Sequence, residues 1–170
     1  MSVTGVEAFN SLPVRELQDR LIACCAAPEW GAALVAGRPY PDRVALSAAA
    51  DAAAQSLSWA EVLKGLSAHP RIGERAAGDS REAQWSRREQ AAAAPGDEST
   101  RAALVEANRA YEDRFGHVFL IFASGRSPEQ ILAAARQRLG NDETTERAIV
   151  ADELRKIAGL RLERLLDELG

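Results

Sequence analysis

Cysteine, histidine, methionine and aromatic residues are all scarce in this 170-residue chain. The two cysteines, Cys24 and Cys25, are neighbours and cannot staple distant segments, which excludes a disulfide scaffold and points to a reducing cytoplasm. The only histidines, His69 and His117, have no partner at metal-ligand spacing, so no structural zinc site is expected. The longest uninterrupted run of large apolar residues is Val118–Phe122, with Ala123 following. That is far short of the ~20 residues of a membrane span. Basic and acidic residues number 21 and 25, mixed along the chain, so the basic footprint of a nucleic-acid binder is missing. The stretch Met1–Asn10 lacks the basic-then-apolar order of a secretory signal. The expectation is one compact cytoplasmic domain over residues 1–170 with a proper core.

Alanine is abundant, at 34 residues, and favours helix. Apolar spacing and breakers predict an all-α chain of seven or eight helices. Pro13 suits a first turn, with Val14, Leu17, Leu21 and Ile22 following at helical spacing. A short helix starts at Pro28 and ends near Gly37, and Asp42–Leu57 is an Ala-rich one. Ser58-Trp59-Ala60-Glu61 fits a capping box, and the helix behind it must stop before His69-Pro70. A loop over 71–78 leads to a helix from Asp79 or Ser80 to about Ala94, broken by Pro95-Gly96. Asp97 caps the next, which ends at Gly116. Val118–Ala123 is read as a buried extended or irregular segment, because no partner strand exists for it. Ser127-Pro128-Glu129-Gln130 is a second capping box, for a helix ending at Gly140, and Asp142–Leu169 is the last helix.

Three places carry potential chemistry. His69 stands at a helix end with Pro70 after it, held where an imidazole of ordinary pKa about 6.5 could move protons; it equally suits a helix-terminating turn. Ser86, Glu89 and Gln90 share one helix face bordered by Trp85, either a polar site or an ordinary solvated face. Arg161 interrupts the apolar stripe of Leu154, Ile157 and Leu165, so it needs an anion, supplied by a structural ion pair or by a ligand.

Taken in order, four motifs carry more than spacing: His69-Pro70-Arg71-Ile72-Gly73-Glu74, Ser86-Arg87-Arg88-Glu89-Gln90, Phe115 to Ile121, and Lys156 to Leu162. The set resembles the 2-oxo-4-hydroxy-4-carboxy-5-ureidoimidazoline (OHCU) decarboxylases of urate degradation, in their bacterial form, over nearly the whole chain. Pro28-Glu29-Trp30 and Arg38-Pro39-Tyr40 fit as well. The resemblance implies an all-helical homodimer without metal or organic cofactor that converts OHCU to (S)-allantoin. By the same resemblance His69 and Glu89 are catalytic. Pro70, Ser86, Gln90, Arg161 and the segment Phe119, Leu120, Ile121, Phe122 and Ala123 bind substrate. Arg71 departs from the aspartate of many relatives, and the chain ends without the peroxisomal Ser-Lys-Leu of animal ones. Two other readings stay open: a different cofactor-free lyase or hydrolase of a ureido compound, and a helical interaction module without activity.

Overall fold

The computed structural model describes residues 5–71, 81–89 and 98–170. Among them are nine helices and no strand: α1 (Gly5–Ser11), α2 (Val14–Cys24), α3 (Pro28–Ala36), α4 (Arg43–Gln55), α5 (Trp59–Leu66), α6 (Arg81–Glu89), α7 (Glu98–Phe115), α8 (Pro128–Arg138) and α9 (Glu143–Leu169). The all-α expectation holds, with α1 as one helix more than the apolar spacing indicates. Seven residues are too few to display a periodicity. The expected extension of α6 to Ala94 lies outside the described residues.

Helix ends follow the local chemistry. Asp42 accepts the Ala45 N–H at 2.8 Å. Both capping boxes close reciprocally, Ser58 with Glu61 and Ser127 with Gln130. Pro28 and Pro128 open their helices where no N–H is needed. Gly116 takes φ 80°, the left-handed geometry that ends α7, and donates its N–H to the Glu112 carbonyl at 2.8 Å.

The helices gather into two compact units. One contains residues 5–67 and 154–170, and its core holds Phe9, Leu17, Leu21, Trp30, Leu34, Leu46 and Leu66 with Leu165 and Leu166 of α9. Trp30 Nε1 donates to the Ala50 carbonyl at 3.1 Å, joining α3 to α4. The Arg38-Pro39-Tyr40 motif turns out to be structural. Arg38 Nη1 donates to the carbonyls of Phe9, Asn10 and Leu12 at 3.1, 3.3 and 2.7 Å, collecting the open C-terminal carbonyls of α1. Asn10 pairs with the Tyr40 backbone through two bonds of 2.9 Å, and Tyr40 Oη donates to the Leu34 carbonyl at 2.7 Å.

The other unit, residues 68–153, is built on α7 against α8. Its apolar cluster takes Leu104, Ala107 and Tyr111 from α7 and Ile131, Leu132 and Ala135 from α8. Phe119, Ile121 and Ala123 enter the same cluster, every second residue of the open stretch 118–123. That alternation is the signature of extended backbone. The expectation of a buried extended segment between helices holds. No helix among the described residues is long and apolar enough to cross a membrane.

Arg38→Ala removes a charged donor shared by three carbonyls, a loss of about 1.5–3 kcal/mol. The expected outcome is a lower thermal midpoint with unchanged helical circular dichroism at 20 °C; an unchanged midpoint would show that water replaces the guanidinium at no cost.

Candidate active site

The unit 68–153 contains most of the residues that the sequence singles out. Buried Leu66 ends α5, and the chain turns through Ser67 and Ala68 to His69 and Pro70, both half-buried. Arg71 is exposed and grips α7 with a forked pair of bonds, Nε to Glu112 Oε1 at 2.6 Å and Nη2 to Oε2 at 3.2 Å. Arg71 thus anchors the exit of the His-Pro turn. A bidentate guanidinium sets direction as well as distance.

On α6, Trp85, Ser86 and Glu89 are buried, while Gln84 and Arg88 are exposed and Arg87 is half-buried. The face bordered by Trp85 is therefore turned inward, not solvated. Glu89 keeps only 8% of its surface and Ser86 only 4%, in a helix otherwise rich in charge. A carboxylate and a hydroxyl held inside beside an indole are expensive unless they serve a partner or a ligand. Gln90, the third member of this expected face, lies outside the described residues, as do Ile72, Gly73 and Glu74.

The stretch 119–123 is held by its backbone. Arg138 Nη1 donates to the Leu120 carbonyl at 2.6 Å, and Arg126 Nε to that of Phe122 at 3.0 Å. The Phe122 N–H points to Glu153 Oε1 at 3.4 Å, and the Ala123 carbonyl closes a turn onto the Arg126 N–H. Ile121 lies between the two gripped residues. Behind the stretch, Glu146 accepts from Arg138 Nε at 2.7 Å, from Tyr111 Oη at 2.6 Å and from Asn141 Nδ2 at 3.1 Å. Burial first, and then the bond to Glu146, push the Tyr111 phenol well above the ordinary tyrosine range.

Arg161 belongs to the other unit. It retains 2% of its surface, and Nη1 donates to the Ala23 carbonyl at 3.2 Å in the last turn of α2. A cation at a helix C-terminus meets its negative pole, so part of its compensation is structural. Cys25 adjoins this site. Burial pushes its thiol up from 9.0 to about 11, against the opposing pull of the Ala27 backbone hydrogen bond and the Arg161 charge.

His69, Pro70, Ser86, Glu89 and residues 119–123 thus share one compact unit, and Arg161 lies in the other. Three buried charges escaped the sequence reading: Arg138, Glu146 and Glu153. The signal was present. Arg138 follows Ile131 and Ala135 at seven and three positions, and Glu146 and Glu153 flank Val150 at four and three, so each interrupts an apolar stripe as Arg161 does. Among the described residues, no group of three or more His, Cys, Asp and Glu could hold a metal ion.

The family model described as OHCU decarboxylase matches residues 10–163. The chain belongs to the OHCU decarboxylase family. It is 33% identical over 133 residues to "2-oxo-4-hydroxy-4-carboxy-5-ureidoimidazoline decarboxylase" of Haloferax volcanii, covering 77% of each chain. It is 31% identical over 155 residues to "Uric acid degradation bifunctional protein TTL" of Arabidopsis thaliana. That match takes in 89% of this chain but 48% of the plant protein, so the chain spans about half the length of that relative. Among solved structures, an OHCU decarboxylase crystallised in the presence of (S)-allantoin superposes with TM-score 0.74 at 30% identity, over 88% of this chain and 98% of that one. An (S)-allantoin synthase superposes with TM-score 0.71 at 21% identity, over 94% of this chain and 53% of that one, a likeness of fold.

The raised Cys25 value predicts an alkaline weakness in this OHCU decarboxylase family member. The folded state retains a proton that the unfolded thiol, of ordinary pKa 9.0, releases, so stability falls as pH rises from about 9 toward 11. Urea midpoints measured across that window are expected to fall less steeply in Cys25→Ala than in the parent; parallel curves would remove Cys25 as the cause.

Proposed function

We infer that this chain is a carboxy-lyase that decarboxylates OHCU to (S)-allantoin in urate breakdown. The observation that carries the reading is the family match over 10–163, which runs through the inward-facing Ser86 and Glu89 and the gripped stretch 119–123. The reaction itself is undemanding. When the bond to the carboxylate breaks and carbon dioxide leaves, the electron pair passes into the conjugated imine of the ring, whose nitrogen takes up a proton. The 4-hydroxyl gives up its proton and becomes the ring carbonyl, and a proton is added to the carbon that bears the ureido group. The enzyme's work is orientation, exclusion of water and delivery of that proton to one face.

His69 and Glu89 form the catalytic pair in this reading. Glu89 orients the imidazole, and His69 acts on the 4-hydroxyl, a task suited to a group that titrates near neutrality. Ser86, Gln90 and Pro70 contact the substrate. Arg161 anchors one of its oxygens, and backbone groups of Phe119, Leu120, Ile121, Phe122 and Ala123 hold the ring edge. The deep burial of Ser86, Glu89 and Arg161 supports these roles, since polar groups kept from water are costly to fold around. The family match spans both compact units, which supports their working as one domain. A homodimer follows from the resemblance, and sedimentation velocity at a monomer mass would reject it. Two buried cysteines that form no disulfide support a reducing cytoplasmic setting, which fractionation of native cells would test.

The deciding experiment makes the unstable substrate in place from urate with urate oxidase and hydroxyisourate hydrolase, then adds this protein and follows product circular dichroism. A fast rise of the (S)-allantoin signal is expected, where the uncatalysed decay gives racemate; a decay no faster than the blank rejects the reading. His69→Ala and Glu89→Ala are expected to abolish stereoselective turnover, by roughly a hundredfold or more, with helical dichroism intact. Loss of the fold in both would make them structural residues. Arg161→Ala should raise KM about tenfold, the effect of one charge-assisted contact.

A further inference from the structure

Arg138 is a costly residue to bury. Only 6% of its surface is exposed, and its partner Glu146 keeps 1%. Taking both charges out of water is repaid only with good geometry and full hydrogen bonding, and apolar residues often stabilise as much. Stability alone is a weak account of such a pair.

Its geometry suggests a better one. The guanidinium is planar and donates in fixed directions. Nε meets Glu146 Oε1 at 2.7 Å, with Nη2 paired to the same oxygen, and Nη1 meets the Leu120 carbonyl at 2.6 Å. Its plane is packed over the Phe119 ring at 4.6 Å from the centroid and near that of Tyr111 at 5.7 Å. Glu146 is in turn held by Tyr111 and Asn141. Apart from the Phe119 ring, the groups that set the direction of Arg138 are thus fixed from α7, α9 or the turn before α9, and its Nη1 reaches the Leu120 carbonyl. That carbonyl lies in a buried stretch whose backbone, among the described residues, has neither helix nor ladder to locate it. Such backbone goes where its hydrogen-bond partners hold it.

We propose that Arg138, braced by Glu146, is a positioning residue that fixes the Leu120 carbonyl and so the Ile121 peptide against which the substrate ring is held. The inference rests on the decarboxylase reading above, in which residues 119–123 bind the ring edge. Arg138 touches no substrate in this scheme. It acts through the backbone, so its loss weakens ligand binding and the facial selectivity of protonation ahead of the chemistry itself.

Two variants test this in the coupled urate assay, each first checked for a cooperative thermal transition. Arg138→Met with Glu146→Gln leaves no unpaired charge and keeps an acceptor for Tyr111. The expected result is a KM raised about tenfold with kcat within about threefold, and a lower excess of (S)-allantoin. Arg138→Lys, which retains the charge facing Glu146 but not the fork, should raise KM by about threefold. A purely structural role would reduce the active fraction and leave KM alone. The inference falls if the folded double variant has the parent's KM and selectivity; should that variant not fold, an unchanged KM in Arg138→Lys overturns it equally. A parent chain that leaves the decay racemic removes the decarboxylase reading, and this inference with it. A parent that turns over beside a folded variant of unchanged KM removes this inference alone.

Discussion

A carboxylate and a guanidinium buried together, Glu146 of α9 and Arg138 of α8, decide where the open stretch before α8 runs. Helices satisfy their own backbone, so α7 and α8 need only apolar faces to pack. The stretch 118–123 has no such provision. It is buried, it lies outside any helix, and its alternate side chains enter the apolar cluster. Its carbonyls must find donors elsewhere, and charged donors meet that need most strongly. Once Glu146 neutralises Arg138, the arginine can remain inside and direct one nitrogen at Leu120. Tyr111 joins the two tasks, with its ring in the apolar cluster and its hydroxyl on Glu146.

Among the described residues, the other buried ionisable and hydroxyl groups also cluster. Ser86 and Glu89 lie along one edge of α6, Glu146 and Glu153 on one stripe of α9, and Arg161 farther along that helix. Buried ion pairs can often be replaced by apolar residues without loss of stability. A fold selected for stability alone would not concentrate them so. Beside them, the exposed pairs such as Arg20 with Glu16 or Arg147 with Glu143 are ordinary surface contacts, worth little each.

Motif residues that look alike in sequence divide sharply by role. Arg38 and Tyr40 belong to the family-like pattern, yet both of their side chains donate to protein backbone and tie the end of α1 to the turn after α3. Arg71 follows the His-Pro pair directly and pairs with Glu112 of α7, which tethers the turn. Arg161 stands between these cases, bonded to the end of α2 and still buried as a full positive charge.

Local chemistry was enough to mark most of the helices, though not the short α1. Two capping boxes, the prolines at 28 and 128 and the glycine stop at 116 act within a few residues of themselves, so they are readable wherever they occur. The inward face of Trp85, Ser86 and Glu89 was legible as a shared face, because helical spacing puts residues three and four apart together. Its burial was not, since burial depends on what the rest of the chain brings against it. The bond from Arg138 to Leu120 spans 18 residues and that from Phe122 to Glu153 spans 31. Periodicity could flag each of those charges as misplaced on an apolar stripe, but it could not supply the partner. Partnership between distant residues is a property of packing, and only the tertiary structure decided it.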